Sequence, residues 1–412
     1  MKYWWIVLGM LSTACLPTSE NQLMDAIAER QSPILEQILS DPIQYDCQII
    51  YEQIDRDSLN RPSFTRYKMY LNDGDYFYPA STVKMPLAFL ALEKARALDL
   101  DPNWTVEIDS ARYPQSPFKY DSTSLTGQPN LNQWVKNVFL YSDNNSSNRL
   151  YEFLGQGYLH DQLKSKGLTK TQINHRLGDP RFGHEENRYT NPYRVLHPDG
   201  QVAFEQEEQV AELLPPLEMK NLVRGSGYMN AEERIVYEAF DFSTKNYFPL
   251  SEQLDVLKRV YFPEVYSESE RFSLQPEDYT SIYKAMGMRP RESKAPKLDS
   301  TEYYDSYVKL LIAGDNQEHL PDHLRIFNKI GWAYGFLTDV AYVVDTENNV
   351  EFLLAATVHV NENGIYNDGQ YEYDEEGVPF LAELGRAVYE FELKNRMKAE
   401  LDLDKYLVDF KD

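Results

Sequence analysis

The sequence is poor in cysteine and in positive charge. Its 412 residues include only Cys15 and Cys47, which leaves room for one disulfide at most and excludes a densely stapled scaffold. Lysine and arginine number 41 against 65 aspartates and glutamates, a net charge of −24. A surface of that sign repels phosphates, so nucleic acid is excluded as a partner. The seven histidines show no paired ligand spacing except His319 and His323, in a proline-interrupted surface segment; no metal is expected. No glycine-rich motif cradles a phosphate, so no cofactor is expected either. Repeats and low-complexity tracts are lacking. The single early apolar run, Trp4 to Leu11, is too short to cross a bilayer.

What is present fits a soluble globular protein of one or two domains: 42% apolar and 26% charged residues. The 31 tyrosines suit half-buried surfaces and carbohydrate contacts alike. Lys2 followed by the short apolar run reads as a signal peptide over residues 1–14. It ends in Leu11-Ser12-Thr13-Ala14-Cys15, similar to a bacterial lipoprotein cleavage site with Cys15 lipidated. Ser12 stands where a larger aliphatic residue is usual, and an ordinary secretory signal with an incidental cysteine is the alternative. A tether over 15–19 then leads to the fold at 20–412. The only membrane contact expected is the lipid anchor. Cys47 falls in an apolar strand pattern and reads as a small core residue.

Glu20 to Ser40 has helical spacing with a restart at Pro33. Asp46 to Ile54 and Phe64 to Leu71 alternate as strands. A strongly apolar helix follows through Leu98. Leu131 to Phe139 forms another helix, and a further one restarts after Ser146 and Ser147 and reaches Lys166, with Gly167 as its cap. Asn174 to Pro192 reads as an ordered surface loop. From Leu196 to about Asp322 the chain reads as mostly helical and polar, including Thr301 to Ile312. Ile326 to Trp332, Asp339 to Val344 and Phe352 to Val360 read as strands, and Val378 to about Lys398 as a closing helix. Strands at both ends and helices between imply an α+β fold: an antiparallel sheet built from both termini and covered by the terminal helices, with an all-helical lobe inserted over about 81–325.

One stretch organises the chemistry. Ser81-Thr82-Val83-Lys84 opens the apolar helix, and Pro86 confines it to the helix start. A serine with a lysine one turn on can be a nucleophile with its base; a serine there also reads as an N-cap. The pattern alone is cheap, since Ser116/Lys119, Ser281/Lys284 and Ser306/Lys309 repeat it. Two further motifs raise its weight. Ser142-Asp143-Asn144 lies on an inter-helix loop, where capping and function are both open, and Lys329-Ile330-Gly331 is the chain's only Lys-x-Gly, on a C-terminal strand.

The three motifs, in this order and context, resemble those of the serine β-lactamase and penicillin-binding-protein superfamily, nearest its class A-like branch. The resemblance covers most of residues 20–412 except for extra helical sequence at about 198–300. It implies that Ser81 forms an acyl-enzyme with a small-molecule or peptide amide, and that Lys84 is the base. Ser142 would relay a proton to the leaving nitrogen. Asn144, Lys329 and Gly331 would hold substrate, and the N–H of Ser81 would share an oxyanion hole with one near Ala333. Two departures follow. Ile330 replaces the hydroxyl residue that normally binds the substrate carboxylate, and no deacylating loop glutamate is evident. Asp179, in Arg176-Leu177-Gly178-Asp179-Pro180, is the nearest echo, with Glu185 and Glu186 as alternatives. The expected protein is a lipid-anchored or periplasmic β-lactamase-like serine hydrolase. A penicillin-binding-type peptidase, a catalytically eroded binding protein and a glutaminase-like hydrolase are the rivals.

Overall fold

The computed structural model describes residues 19–395, 403–406 and 408–412. The expected signal peptide, Cys15 and the tether up to residue 18 lie outside these residues. Two helices open the fold, α1 (Ser19–Glu29) and α2 (Pro33–Ser40). Pro33 stands in the first turn of α2, where a missing N–H breaks no intrahelical bond. Strands β1 (Gln48–Arg56) and β2 (Pro62–Met69) form a hairpin. Helices α3 (Lys84–Ala97), α4 (Leu131–Leu140), α5 (Asn144–Leu154), α6 (Gln156–Ser165), α7 (Leu250–Tyr261) and α8 (Pro276–Gly287) fill the middle. Strands β3 (Leu324–Ala333), β4 (Phe336–Asp345) and β5 (Val350–His359) precede the closing helix α9 (Val378–Asn395).

The main sheet runs β3-β4-β5-β1-β2, antiparallel throughout. The chain ends therefore meet at β5 and β1, as the distribution of strands in the sequence implies. Every residue of β4 is buried, because both sheet faces are covered. On one face lie Leu23, Ile38, Leu381, Leu384 and Val388 from the terminal helices, their spacing giving one apolar stripe per helix. The helical lobe covers the other face. Within it, α3 is buried all round from Lys84 to Ala95, the mark of a core helix.

The region expected to be helical from Leu196 differs. Residues 198–249 hold short strands instead. Val202–Gln206 pairs with Tyr193–Leu196, which pairs with Thr105–Ile108. Val223–Arg224 pairs with Phe240–Asp241, and Gly227–Met229 with both Ile235–Val236 and Ile365–Tyr366. Valine, isoleucine, phenylalanine and tyrosine fit these pleated pairs better than a helix face. Helix in 198–300 is confined to α7, α8 and single 3₁₀ turns. Thr301 to Ile312 is likewise not a helix. Only Leu310–Ala313 makes a helical turn, and within it Leu311 and Ile312 have non-helical angles. The buried Asp339 carboxylate accepts the Leu311 N–H at 3.0 Å, drawing it out of a helical ladder. The helix expected to run to Lys166 is broken at Gly155, which takes a φ of 78°, a conformation glycine adopts freely.

One close approach ties sheet to lobe. β3 is an edge strand, and its Gly331 meets the turn before α3: a Cβ there would stand 2.3 Å from Pro79 O. Gly331→Ala should therefore push strand and turn apart and lower stability by about 1–3 kcal/mol. Urea denaturation checks this; an unchanged midpoint would show that the two elements separate without cost.

Candidate active site

The site lies where β3, the start of α3 and the α4–α5 loop converge. Residues Ala80–Val83 form one 3₁₀ turn that runs into α3. Ser81 does not cap either element with its side chain, so the N-cap reading fails. Its residue is half-buried and lines a cavity of about 390 Å³ together with Asn144, Ala333 and several aromatic side chains.

Lys84 points inward and is fully buried. Its Nζ donates to Asn144 Oδ1 at 2.7 Å, lies 3.3 Å from Ser142 Oγ, and also meets Ser142 O. Burial pulls the ammonium down to about 7 from its ordinary value of 10.5, with the Asp143 carboxylate opposing. Lys329 reaches the same hydroxyl from the sheet: its Nζ donates to Ser142 Oγ at 2.9 Å and to Ile330 O at 2.9 Å. Burial, then the neighbouring Lys84 charge, drives Lys329 well below the ordinary range. Ser142 Oγ thus stands between two buried lysines. It accepts from Lys329 and can donate its own proton to an unprotonated Lys84.

The Ser142-Asp143-Asn144 triplet divides its labour, so neither reading of the sequence is complete by itself. Asp143 is the N-cap of α5, its carboxylate accepting the Ser146 N–H at 2.6 Å. Ser142 and Asn144 turn instead to the lysines. Ser142 takes a φ of 62°, and Ala80, just before Ser81, a φ of 46°. Such left-handed non-glycine residues persist where surrounding contacts enforce them.

The third motif behaves as the alternation of a strand requires. Lys329 and Gly331 face the lobe. Ile330 faces the other way, 6% exposed, within the cluster under the terminal helices. Its side chain is therefore withheld from the cavity. The oxyanion donor expected near Ala333 moves by one residue. Ala333 pairs with Phe336 across a two-residue turn, Tyr334-Gly335, with φ of 56° and 80°. This tight hairpin spends the Ala333 N–H on Phe336. The neighbouring pair alternates, so the Trp332 N–H is the one directed to the open edge beside Ser81. Ala333 still lines the cavity.

Asp179 does not reach the site. Leu177 and Gly178 line the cavity beside Asn144, but the next residue lines a neighbouring one. There the Arg181 guanidinium grips the Asp179 carboxylate at 2.6 and 2.8 Å and holds it below the usual carboxylate range. Glu185 pairs with Arg188 at 2.8 Å, and neither it nor Glu186 lines the Ser81 cavity. None of the lining residues is a carboxylate. The loop from Asn174 is less superficial than expected: Asn174, Arg176, Asn187 and Asn191 are buried, with Arg176 anchored on Glu152.

Residues without a motif complete the walls: Tyr78, Trp332, Tyr334, Asn367 and Tyr371. The sole sequence signal for them is the high tyrosine content. The other Ser-x-x-Lys copies stay apart. Lys309, for one, is buried on Met286 O and Asn328 Oδ1, both at 2.7 Å.

Comparison with known proteins gives a family. The profile of the beta-lactamase enzyme family matches residues 46–203 and 300–391, more than half of the chain, and passes over the segment between. A search of curated proteins finds no match. Similar solved structures include a beta lactamase from Xanthomonas campestris pv. campestris (14% identity, TM-score 0.48, covering 90% of this chain and 98% of that one). Others are a beta-lactamase from Sphaerobacter thermophilus (12%, 0.45, 92% and 100%) and PBP-A (15%, 0.47, 90% and 95%).

Lysine Nζ resonances provide a direct check of the site's electrostatics. In side-chain ¹⁵N spectra a lysine titrating near pH 7 should be present and should vanish in Lys84→Ala. Lys309, also pulled down by burial, should keep its own shifted resonance in that variant. A wild-type spectrum in which every lysine titrates in the ordinary range would refute the buried-amine description.

Proposed function

The chain belongs to the beta-lactamase enzyme family, and on that premise we propose that it is a cell-envelope serine hydrolase forming an acyl-enzyme at Ser81 with a β-lactam or related amide. The observation that carries the reading is the line Lys329 Nζ–Ser142 Oγ–Lys84 Nζ, with spacings of 2.9 and 3.3 Å, behind a cavity-lining Ser81. Ser81 Oγ attacks the carbonyl carbon, and its proton passes to the unprotonated Lys84 amine. The carbonyl oxygen gains negative charge and is held by the N–H groups of Ser81 and Trp332. As the C–N bond breaks, Ser142 Oγ gives its proton to the leaving nitrogen and recovers one from Lys84. Asn144 Oδ1 is occupied by Lys84, which leaves its NH₂ to orient the substrate. The envelope address rests on the pattern ending at Cys15.

A second observation favours slow release, as in a penicillin-binding-type peptidase. Hydrolysis of the ester at Ser81 needs a base beside the attacking water; no carboxylate lines the cavity, and Lys84 is buried behind Ser142 and Asn144. The acyl-enzyme should therefore accumulate.

Intact-protein mass after brief and long exposure to a β-lactam tests both steps. One acyl mass should appear on wild type and none on Ser81→Ala. A mass that stays constant on long exposure supports slow release; rapid return to the free mass with product turnover selects a lactamase. Asp179→Asn, Glu185→Gln and Glu186→Gln should each leave the lifetime unchanged. The acylation rate should rise through about pH 7 and level off above it, because only the unprotonated amine accepts the Ser81 proton. Below that pH it should fall by about tenfold per unit. Labelling retained in Ser81→Ala would end the reading.

A further inference from the structure

The Ser81 cavity carries no charge on its lining. Its lining residues include Tyr78, Trp332, Tyr334 and Tyr371, with Ser81, Asn144 and Asn367 as the polar ones. Three cations around the site are engaged with groups of the protein. Lys329 is 2% exposed, and two of its three N–H groups go to Ser142 Oγ and Ile330 O. Lys84 is wholly buried behind Ser142 and Asn144. Arg181, beside the neighbouring cavity, is neutralised by Asp179. The side chain at position 330 is apolar and lies on the far face of the sheet.

The aromatic walls are held in place. Trp332 is 40% exposed, and its ring meets Tyr373 at 5.0 Å. Tyr373 OH accepts the Gly335 N–H at 2.7 Å, and Tyr371 OH accepts the Asn367 N–H at 2.7 Å. Tyr334 is backed by Phe240 and Phe242 at 5.5 and 5.6 Å. Both come from the segment that the family profile passes over. Fixed rings offer apolar faces at little entropic cost. A carboxylate set among them would lose its hydration without gaining a charged partner, and the net charge of −24 disfavours its approach.

The geometry points to uncharged acyl donors as the substrates of this site: amides or esters with no carboxylate beside the scissile bond and an aromatic or other apolar group to lie among the cavity's tyrosines. This rests on the Ser81 acyl-enzyme reading and narrows it. The chemistry is unchanged: Ser81 Oγ gains the acyl carbon, and the leaving nitrogen or oxygen takes the proton.

Two matched pairs of probes test it: benzylpenicillin against its methyl ester, and 3-carboxy-4-nitrophenyl butyrate against 4-nitrophenyl butyrate. Members of a pair differ chiefly in one carboxylate. Acylation of Ser81 in the full protein is followed by intact mass, above the titration of Lys84, and each rate is divided by the probe's hydrolysis rate in buffer. The uncharged member of each pair should acylate at least about tenfold faster. An anion that reacts as fast as its neutral partner, or faster, in either pair overturns the inference and leaves the nucleophile standing. Acylation of Ser81 by none of the four overturns the nucleophile, and the inference with it.

Discussion

Two lysines buried side by side, joined by one serine hydroxyl, form the arrangement on which the site depends. Each ammonium loses its hydration, and the Lys84 charge further raises the cost of charging Lys329. Lys84 and Lys329 come from elements far apart in sequence, and Ser142 from a third. No local preference favours this grouping. It is maintained because α3 is buried all round and because Gly331 lets β3 close against Pro79. The same burial that makes the lysines costly pulls Lys84 toward neutrality. Stability and chemistry here draw on one constraint in opposite directions.

The sheet carries a second polar network on its opposite face. Asn328 and Asp339 bond at 2.7 Å, Lys309 meets Asn328 at 2.7 Å, and Asp339 accepts the Leu311 N–H. β3 therefore presents Lys329 to one side and Asn328 to the other, with Ile330 among the apolar residues beneath the terminal helices. This pins the register. A slip by one residue would carry Lys329 into the apolar cluster and Ile330 into the site. The hairpin Tyr334-Gly335 fixes the same register from its end, and through it decides which N–H faces Ser81.

Much of the frame was legible. The five sheet strands, the covering helices and the three motifs stand where period-two and helical patterns put them. The segment over 198–249 was not, because its strands are two to five residues long and too short for a period to register. They are defined by distant partners; Gly227–Met229, for instance, pairs with Ile365–Tyr366. That segment is structurally used: Phe240 and Phe242 buttress Tyr334 on the cavity wall. Asp179 misled for a related reason. Its neighbours Leu177 and Gly178 do reach the cavity, but a local ion pair with Arg181 turns its carboxylate aside. A motif echo fixes where the backbone goes, whereas the charge two residues on decides where the side chain points.

By itself the sequence determined which chemical groups are available and in what order: a serine and lysine at a helix start, a loop with serine, aspartate and asparagine, and a lysine and glycine on a strand. Those are local properties, set by spacing and by the residues that can start a helix or pair in a sheet. Tertiary structure alone decided which of them meet and in what state. It joined both lysines to Ser142, gave Asp143 to a cap, turned Ile330 away and left the cavity lined by aromatic rings without a carboxylate. Burial and partner geometry arise from contacts between segments hundreds of residues apart, and it is these contacts, not the motifs, that shift a lysine toward neutrality or withhold a charge from a cleft.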